Sequence, residues 1–584
     1  MNDTHPESRI LNHESRLTIE VVLWACIAIV ALALRFSHLD AAPLDGREAH
    51  EAMLAWRAVT GMGQPSPAAD YSPLLFTANA LLFTLCGASD AIARLWPALL
   101  GGLLPLTPLL LRRRIGRVGV LATGAYLAFS PTALLASRRL DGAVVAIVGG
   151  MAVLGGLTRF FDTGGRRWLT LSACGLALAV TGSPSAYGLL LTLALAWLLL
   201  AWAWPDKHTS HLTFDASHSS LVFLLVALAL STGLGWNLSG LGAAGGLLPA
   251  WLARFSAVMN PAPAPLAIAA VYEPLALLFG LGGLVWAVQR GHRFGVLLGT
   301  WAGLVALLLT LMPGRTPLDA LVVVLPLALL TGLAIEWLVQ SLRRWGEWLG
   351  EGLYVPVVLL LWAHAYLVLG RYAERGDSRD LFMVLLVVAL QGLLATMFAL
   401  AMRPDAALRG VAVGTGVALL AVAISAGWGV AYARPADARE LLVRDSTAVE
   451  VHDLVQTLRD LSWRETGMPT TLPFTFEAAP DSVLAWYLRD FSAAHRVESL
   501  EGEEVGRVVV TSRRALELAD DAEFAGQDFA LRRNWNLTEV GCGWEWPPHC
   551  DAAAEWLLLR RASLPVADQW AVLWLRQEKA EFGD

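Results

Sequence analysis

Apolar runs of about 17 to 25 residues recur from position 17 to about 432, separated by short polar or basic segments. Such a pattern predicts membrane-crossing helices at 17–36, 91–111, 119–136, 142–157, 168–181, 186–204 and 220–236. Further crossings are expected at 265–288, 294–311, 317–339, 353–369, 381–402 and 410–430, about thirteen in all. The run 72–86 is also apolar, but it is short and starts beside a proline, so it predicts an interfacial helix. The first run is too long and poorly flanked for a cleaved signal peptide, which makes 1–16 a cytoplasmic tail.

Beyond about position 433 the pattern changes, with frequent charges and short apolar stretches. Val451, Leu454, Val455, Leu458 and Leu461 share one face of a helix at 449–464. Strands are expected at 470–476, 507–511 and 570–577, with a helix at 481–490. The expected architecture is therefore an all-α polytopic membrane domain, 17–432, followed by a small α/β domain, 433–584.

Composition agrees, since 56% of the 584 residues are hydrophobic and only 16% are charged. The net charge of -7 points to no nucleic acid, and the side on which each arginine falls carries more meaning. Arg112, Arg113, Arg114 and Arg117, then Arg159, Arg166 and Arg167, then Arg290 and Arg293, then Arg343 and Arg344, then Arg403 and Arg409 all fall on one side if 72–86 does not cross. The positive-inside rule makes that side cytoplasmic. The loop 37–90, the turn 137–141, the loop 237–264 and the C-terminal domain then face outward from the plasma membrane.

Candidate chemistry concentrates on that outer face. Asp45, Glu48, Glu51 and Asp141 are carboxylates at the membrane edge, able to take a proton from an acceptor or to bind a divalent cation such as Mg or Mn. Arg47, Arg138, Arg139, Arg254 and Arg315 are available to a phosphate, and each can equally be an interfacial anchor. Trp486, Arg489 and Asp490 form either an acceptor-binding surface or a helix end packed into the domain core. Cys542 and Cys550, eight residues apart on the outer side, predict a disulfide; a metal site with His549 lacks a fourth ligand.

The order of these features resembles the C-type integral-membrane glycosyltransferases, which include the lipid A aminoarabinose transferase and the protein O-mannosyltransferases. The residues that carry the resemblance are Glu48 with Asp45 nearby, Tyr71–Ser72–Pro73–Leu74, the phrase GASDAIARLWPALLG at 87–101, and Asp141. The phrase Trp486–Tyr487–Leu488–Arg489–Asp490 is similar to one in a prokaryotic branch associated with flippase activity for lipid-linked sugars. The resemblance implies transfer of a sugar from a polyprenyl-phosphate donor to a glycan, lipid or protein acceptor. It implies Glu48, Asp45 and Asp141 as the acidic site, with Tyr71 and the arginines near the substrate. Arg47 stands where the superfamily has an aspartate, so a catalytically degenerate relative that binds or helps assemble lipid-linked glycans is the alternative. A flippase component is a further one, disfavoured because the charges sit in outer loops and not at mid-membrane.

Overall fold

The computed structural model describes residues 6–66, 70–204, 216–257, 264–345, 348–401, 404–443, 446–500, 506–512, 524–535, 540 and 550–577. Nine helices among these are long and apolar enough to cross a membrane, or eleven if two bent pairs each count as one span. The expected thirteen is not reached among these residues. Segments 168–181 and 220–236 fall in helices Arg166–Gly182 and Ala216–Thr232, each of 17 residues. The helix α3 (Pro73–Cys86) has 14 residues, about 21 Å at 1.5 Å per residue, shorter than the hydrocarbon core of about 30 Å.

Both bent pairs break at a proline. Arg117–Phe129 turns by 59° into Pro131–Ser137, and Pro265–Tyr272 turns by 107° into Pro274–Gln289. A proline offers no N–H and pushes the residue before it out of the helical region. Ser130 is accordingly extended, with φ -51° and ψ 122°. Backbone groups freed at a break must find partners inside the protein, and here a side chain from the second break serves the first. Buried Glu273, at the second break, accepts from Ser130 Oγ (2.6 Å), Thr132 Oγ1 (2.6 Å), Thr132 N (3.0 Å) and the Tyr126 hydroxyl. Its neighbour Tyr272 donates to Glu440 (2.6 Å) and accepts from Leu441 N (2.9 Å), tying the bend to the segment that leads into the C-terminal domain. Arg434 and Arg560 complete the shell of Glu440 at 2.7 and 3.1 Å.

The C-terminal domain is a five-stranded mixed sheet built from β1 (Phe474–Glu477), β2 (Ala494–Val497), β3 (Val508–Thr511), β4 (Phe524–Asn534) and β5 (Val566–Arg576). Its strand order is β2-β1-β3-β5-β4. β1 pairs parallel with β2 and β3, while β5 pairs antiparallel with β3 and β4. The apolar stripe of helix Glu450–Thr466 packs Leu454, Val455 and Leu458 against Phe474, Phe476, Val508, Val510 and Leu573. Strands β2 and β4 and the helix Asp551–Leu559 were not expected from the pattern. Of the expected Cys542–Cys550 bridge, Cys542 lies outside the described residues and Cys550 is disulfide-bonded.

One glycine sets the start of the helix Ala143–Thr163 beside the candidate acid Asp141. A Cβ at Gly142 would lie 2.0 Å from the Gly182 carbonyl, so only hydrogen fits between these two helix ends. Gly142→Ala is expected to cost ~1–3 kcal/mol by overpacking, read as a lowered unfolding temperature in detergent.

Candidate functional site

The first loop is organised by the N-terminus of α2 (Gly46–Val59). Asp45 caps it, its Oδ1 accepting from Arg47 N (3.0 Å) and Glu48 N (2.9 Å), while Glu48 Oε2 accepts from Asp45 N (3.0 Å). This reciprocal arrangement satisfies orphan donors at the helix start and fixes both carboxylates relative to the backbone.

Glu48 then turns inward and meets a buried arginine. Arg94 Nε and Nη2 lie 2.8 and 2.6 Å from the two Glu48 oxygens, and the residues are 2% and 1% exposed. The remaining Arg94 donors reach the carbonyls of Leu39 (2.8 Å), Ala42 (2.7 Å) and Pro43 (3.0 Å). Leu140 N donates to Glu48 at 2.6 Å and Arg139 Nη1 at 3.2 Å. Burial alone would raise the Glu48 carboxyl, but Arg94 first and then Arg139 and Leu140 N–H outweigh it and hold it down at about 2. Glu48 is thus placed as the buried counter-ion of Arg94, with both oxygens already taken by N–H donors, and not as the free base or metal ligand expected from the sequence.

A cavity of about 600 Å³ lies between this loop and the C-terminal domain. Asp45, Arg47, Arg139 and Asp141 line it from the membrane side, with Thr316 and Leu318. Glu477, Ser482, Ser512, Arg532 and Gln569 line it from the other. Arg139 holds Asp45 Oδ2 at 3.4 Å and donates to Pro435 O at 3.0 Å. Burial and the Glu48 charge push Asp45 up to about 6, against the pull of Arg139. Asp141 Oδ1 accepts from Ala143 N at 2.6 Å, and Asp141 is the carboxylate that acts most strongly on Arg47.

Other candidates lie elsewhere, and none of the following lines that cavity. Arg138 turns back to close the end of α1 (Pro6–Phe36), donating to the carbonyls of Leu34 (3.1 Å), Ser37 (2.5 Å) and His38 (2.6 Å), and stacks 4.5 Å over Tyr432. Tyr71 is buried, accepting from Asn237 Nδ2 at 3.2 Å. Arg254 pairs with buried Asp319 at 3.3 Å, and Arg315 reaches the Met312 carbonyl at 3.4 Å. Trp486 is fully buried, with Nε1 on Asp90 at 2.8 Å, and Arg489 lies 3.7 Å over its ring while donating to Ala88 O at 2.9 Å. These two join the domain to the loop.

The donor set does not fit a cation held by Asp45, Glu48 and Asp141. Each Glu48 oxygen already takes at least two N–H donors, and Asp45 Oδ1 caps the helix. Among the described residues no three His, Cys, Asp or Glu side chains are grouped to hold a metal. Positive charge at the cavity comes instead from Arg47, Arg139 and Arg532.

Arg94 was missed. A lone arginine in the apolar phrase at 87–101 was the available signal, because a guanidinium at such a depth requires a carboxylate. Glu51 is buried; its Oε1 accepts from Ser72 N at 2.8 Å and its Oε2 has no hydrogen-bond partner. Burial pushes its carboxyl up to about 8, despite the Ser72 N–H and Arg47.

Arg94→Met leaves the Glu48 charge buried without its main partner and is expected to cost ~3–5 kcal/mol, with the R94M/E48L pair recovering much of the loss in thermal unfolding. Glu51 gives the opposite sign of pH dependence from a salt-bridged acid. Its folded carboxyl titrates near 8 against 4.5 when unfolded, so between those values the folded state keeps a proton that the unfolded state has lost. Stability falls as pH rises through that window. Glu51→Gln is expected to flatten the decline, measured as unfolding midpoint against pH from 5 to 9.

No protein-family model and no curated protein matches the chain. Among solved structures it is similar to ArnT from Cupriavidus metallidurans bound to undecaprenyl phosphate, with a TM-score of 0.53 and 17% identity over 84% of this chain and 93% of that one. It is also similar to the Archaeoglobus fulgidus oligosaccharyltransferase tethered to an acceptor peptide, with a TM-score of 0.44 and 13% identity over 82% of this chain and 63% of that one. At 17% identity the likeness to ArnT is one of fold.

Proposed function

We propose that this protein moves a sugar from a polyprenyl-phosphate donor to an acceptor at the outer face of the plasma membrane. The observation that carries the proposal is the meeting of Asp45, Asp141, Arg47 and Arg139 on one cavity between the membrane domain and the C-terminal domain. Binding of undecaprenyl phosphate by the similarly folded ArnT supports a lipid phosphate as the donor.

The residues divide the work by charge. Arg47 and Arg139 hold the donor phosphate, whose planar match to a guanidinium gives two hydrogen bonds at once. The acceptor oxygen or nitrogen attacks the anomeric carbon, the bond from that carbon to the phosphate oxygen breaks, and the electron pair leaves with the phosphate. Asp45 takes the acceptor proton, and Asp141 holds Arg47 in place. A carboxyl titrating near 6 is ionised at neutral pH yet more basic than an ordinary aspartate, which suits a general base. The outward orientation rests on the arginine distribution.

Arg47, at the position where the superfamily carries an aspartate, favours one second reading, a protein that binds lipid-linked glycans without turnover. Purified protein in liposomes with a polyprenyl-phosphate sugar labelled in the sugar separates the two. Label is expected to leave the lipid, with the rate falling as pH drops through about 6 and Asp45 gains its proton. Asp45→Asn should lower turnover by ~10²-fold or more and abolish that acid limb. Saturable binding with no loss of label would establish the second reading, and wild-type rates in both D45N and D141N would sink the assigned roles.

A further inference from the structure

We infer that the C-terminal domain aims the acid of the proposed transferase site by clamping the peptide groups of Leu44, with Tyr487 and Thr447 as positioning residues. The inference rests on the assignment of Asp45 as proton acceptor. It also gives a role to the tryptophan-tyrosine-leucine-arginine-aspartate phrase, which the cavity does not use.

Leu44 immediately precedes Asp45 and is fully buried. Its N–H donates to the Tyr487 hydroxyl at 2.8 Å, and its carbonyl accepts from Thr447 Oγ1 at 2.7 Å. Both main-chain polar groups of one loop residue are therefore held by side chains some four hundred positions away. The direction of each bond is fixed. Because the Leu44 N–H must donate, the single Tyr487 proton goes elsewhere, and it goes to Asp90 Oδ2 at 2.5 Å. Asp90 Oδ1 is taken by Trp486 Nε1, so the carboxylate is gripped from both sides by adjacent residues of one helix, Val483–Leu488.

Asp90 belongs to the same short segment as Arg94, which holds Glu48 and the carbonyls of Leu39, Ala42 and Pro43 just before Leu44. Tyr487 thus sets the Leu44 peptide against a fixed frame. Rotation of that peptide would swing the Asp45 Cα–Cβ bond and take Oδ1 away from the N–H groups of Arg47 and Glu48. A third tie acts on the phosphate side, where Arg139 Nη2 donates to Pro435 O at 3.0 Å. Docking of the domain therefore orients the base and one phosphate-binding arginine together. Other contacts, such as Arg57 with Asp481 at 3.1 Å, attach the domain to the far end of α2 without touching Leu44.

Two readouts on the full-length protein in detergent or liposomes test the clamp. In the first, Tyr487→Phe and Thr447→Val, which keep size and remove one hydroxyl each, are expected to lower kcat by ~10-fold or more with KM for the polyprenyl-phosphate sugar within about twofold. Arg57→Gln, which weakens docking elsewhere, should leave kcat unchanged. Equal losses in R57Q, or wild-type kcat in both hydroxyl variants, overturn the inference. The second readout needs no activity. Amide exchange at Leu44 in Y487F is expected to quicken by ~10-fold, and exchange at Arg47 and Glu48 with it, since the Asp45 cap swings away. Unchanged exchange at Arg47 and Glu48 overturns the inference even where Leu44 quickens. Should the wild-type protein turn over no polyprenyl-phosphate sugar, the transferase reading falls alone and the exchange pattern decides the clamp by itself.

Discussion

The buried pair of Glu48 and Arg94 is the constraint on which the arrangement of the first loop rests. A carboxylate and a guanidinium removed from water incur a large desolvation cost, and they persist only where every remaining donor and acceptor is satisfied. Here that condition is met, since Arg94 spends its donors on Glu48 and on three loop carbonyls. Glu48 in turn collects the α2 cap, Leu140 N–H and Arg139. The loop cannot rearrange without breaking several of these bonds at once. Asp45, Arg139 and Asp141 take their places at the cavity because they are neighbours of this one neutralised centre.

Charge partition follows from the same pair. Two carboxylates three residues apart on one helix have been driven in opposite directions by surroundings, Glu48 down to about 2 and Asp45 up to about 6. One is fixed as an anion for structure, while the other is left near the range useful for proton exchange. The separation depends on which of them the buried arginine reaches, not on residue type.

Much of the membrane domain was legible because a crossing helix is long, apolar and repeated, so its signal exceeds local noise. The bends at Pro131 and Pro274 were written in the sequence too, but a run of apolar residues does not reveal that a span turns by 107° when the partner, Glu273 with its hydroxyl donors, is brought from another helix. At the site, Asp45, Arg47, Arg139 and Asp141 were found from charge at the membrane edge. Arg138 was indistinguishable from Arg139 in sequence, although one caps α1 and the other faces the cavity, because adjacent residues point to different sides of a turn. Trp486 and Arg489 were visible as a phrase with two readings, an acceptor-binding surface or a helix end in the domain core, and their approach to Ala88 and Asp90 makes them a joint to the first loop instead. Arg94 was missed because its meaning lies in its partner.

The spacing of these contacts along the chain has a consequence for biosynthesis. Arg94 follows Glu48 by 46 residues, so the inner half of the loop can close soon after it leaves the ribosome. Tyr487 follows Leu44 by 443 residues, and at about 5 to 20 residues per second it is made roughly 20 to 90 seconds later. For that interval the nascent membrane domain carries a pre-formed but open site, with the Leu44 amide and Arg139 Nη2 answered by water. Closure of the site is therefore the last step of making the protein, and a chain truncated before position 447 would insert its first helices with the Glu48 core assembled and the acid never aimed.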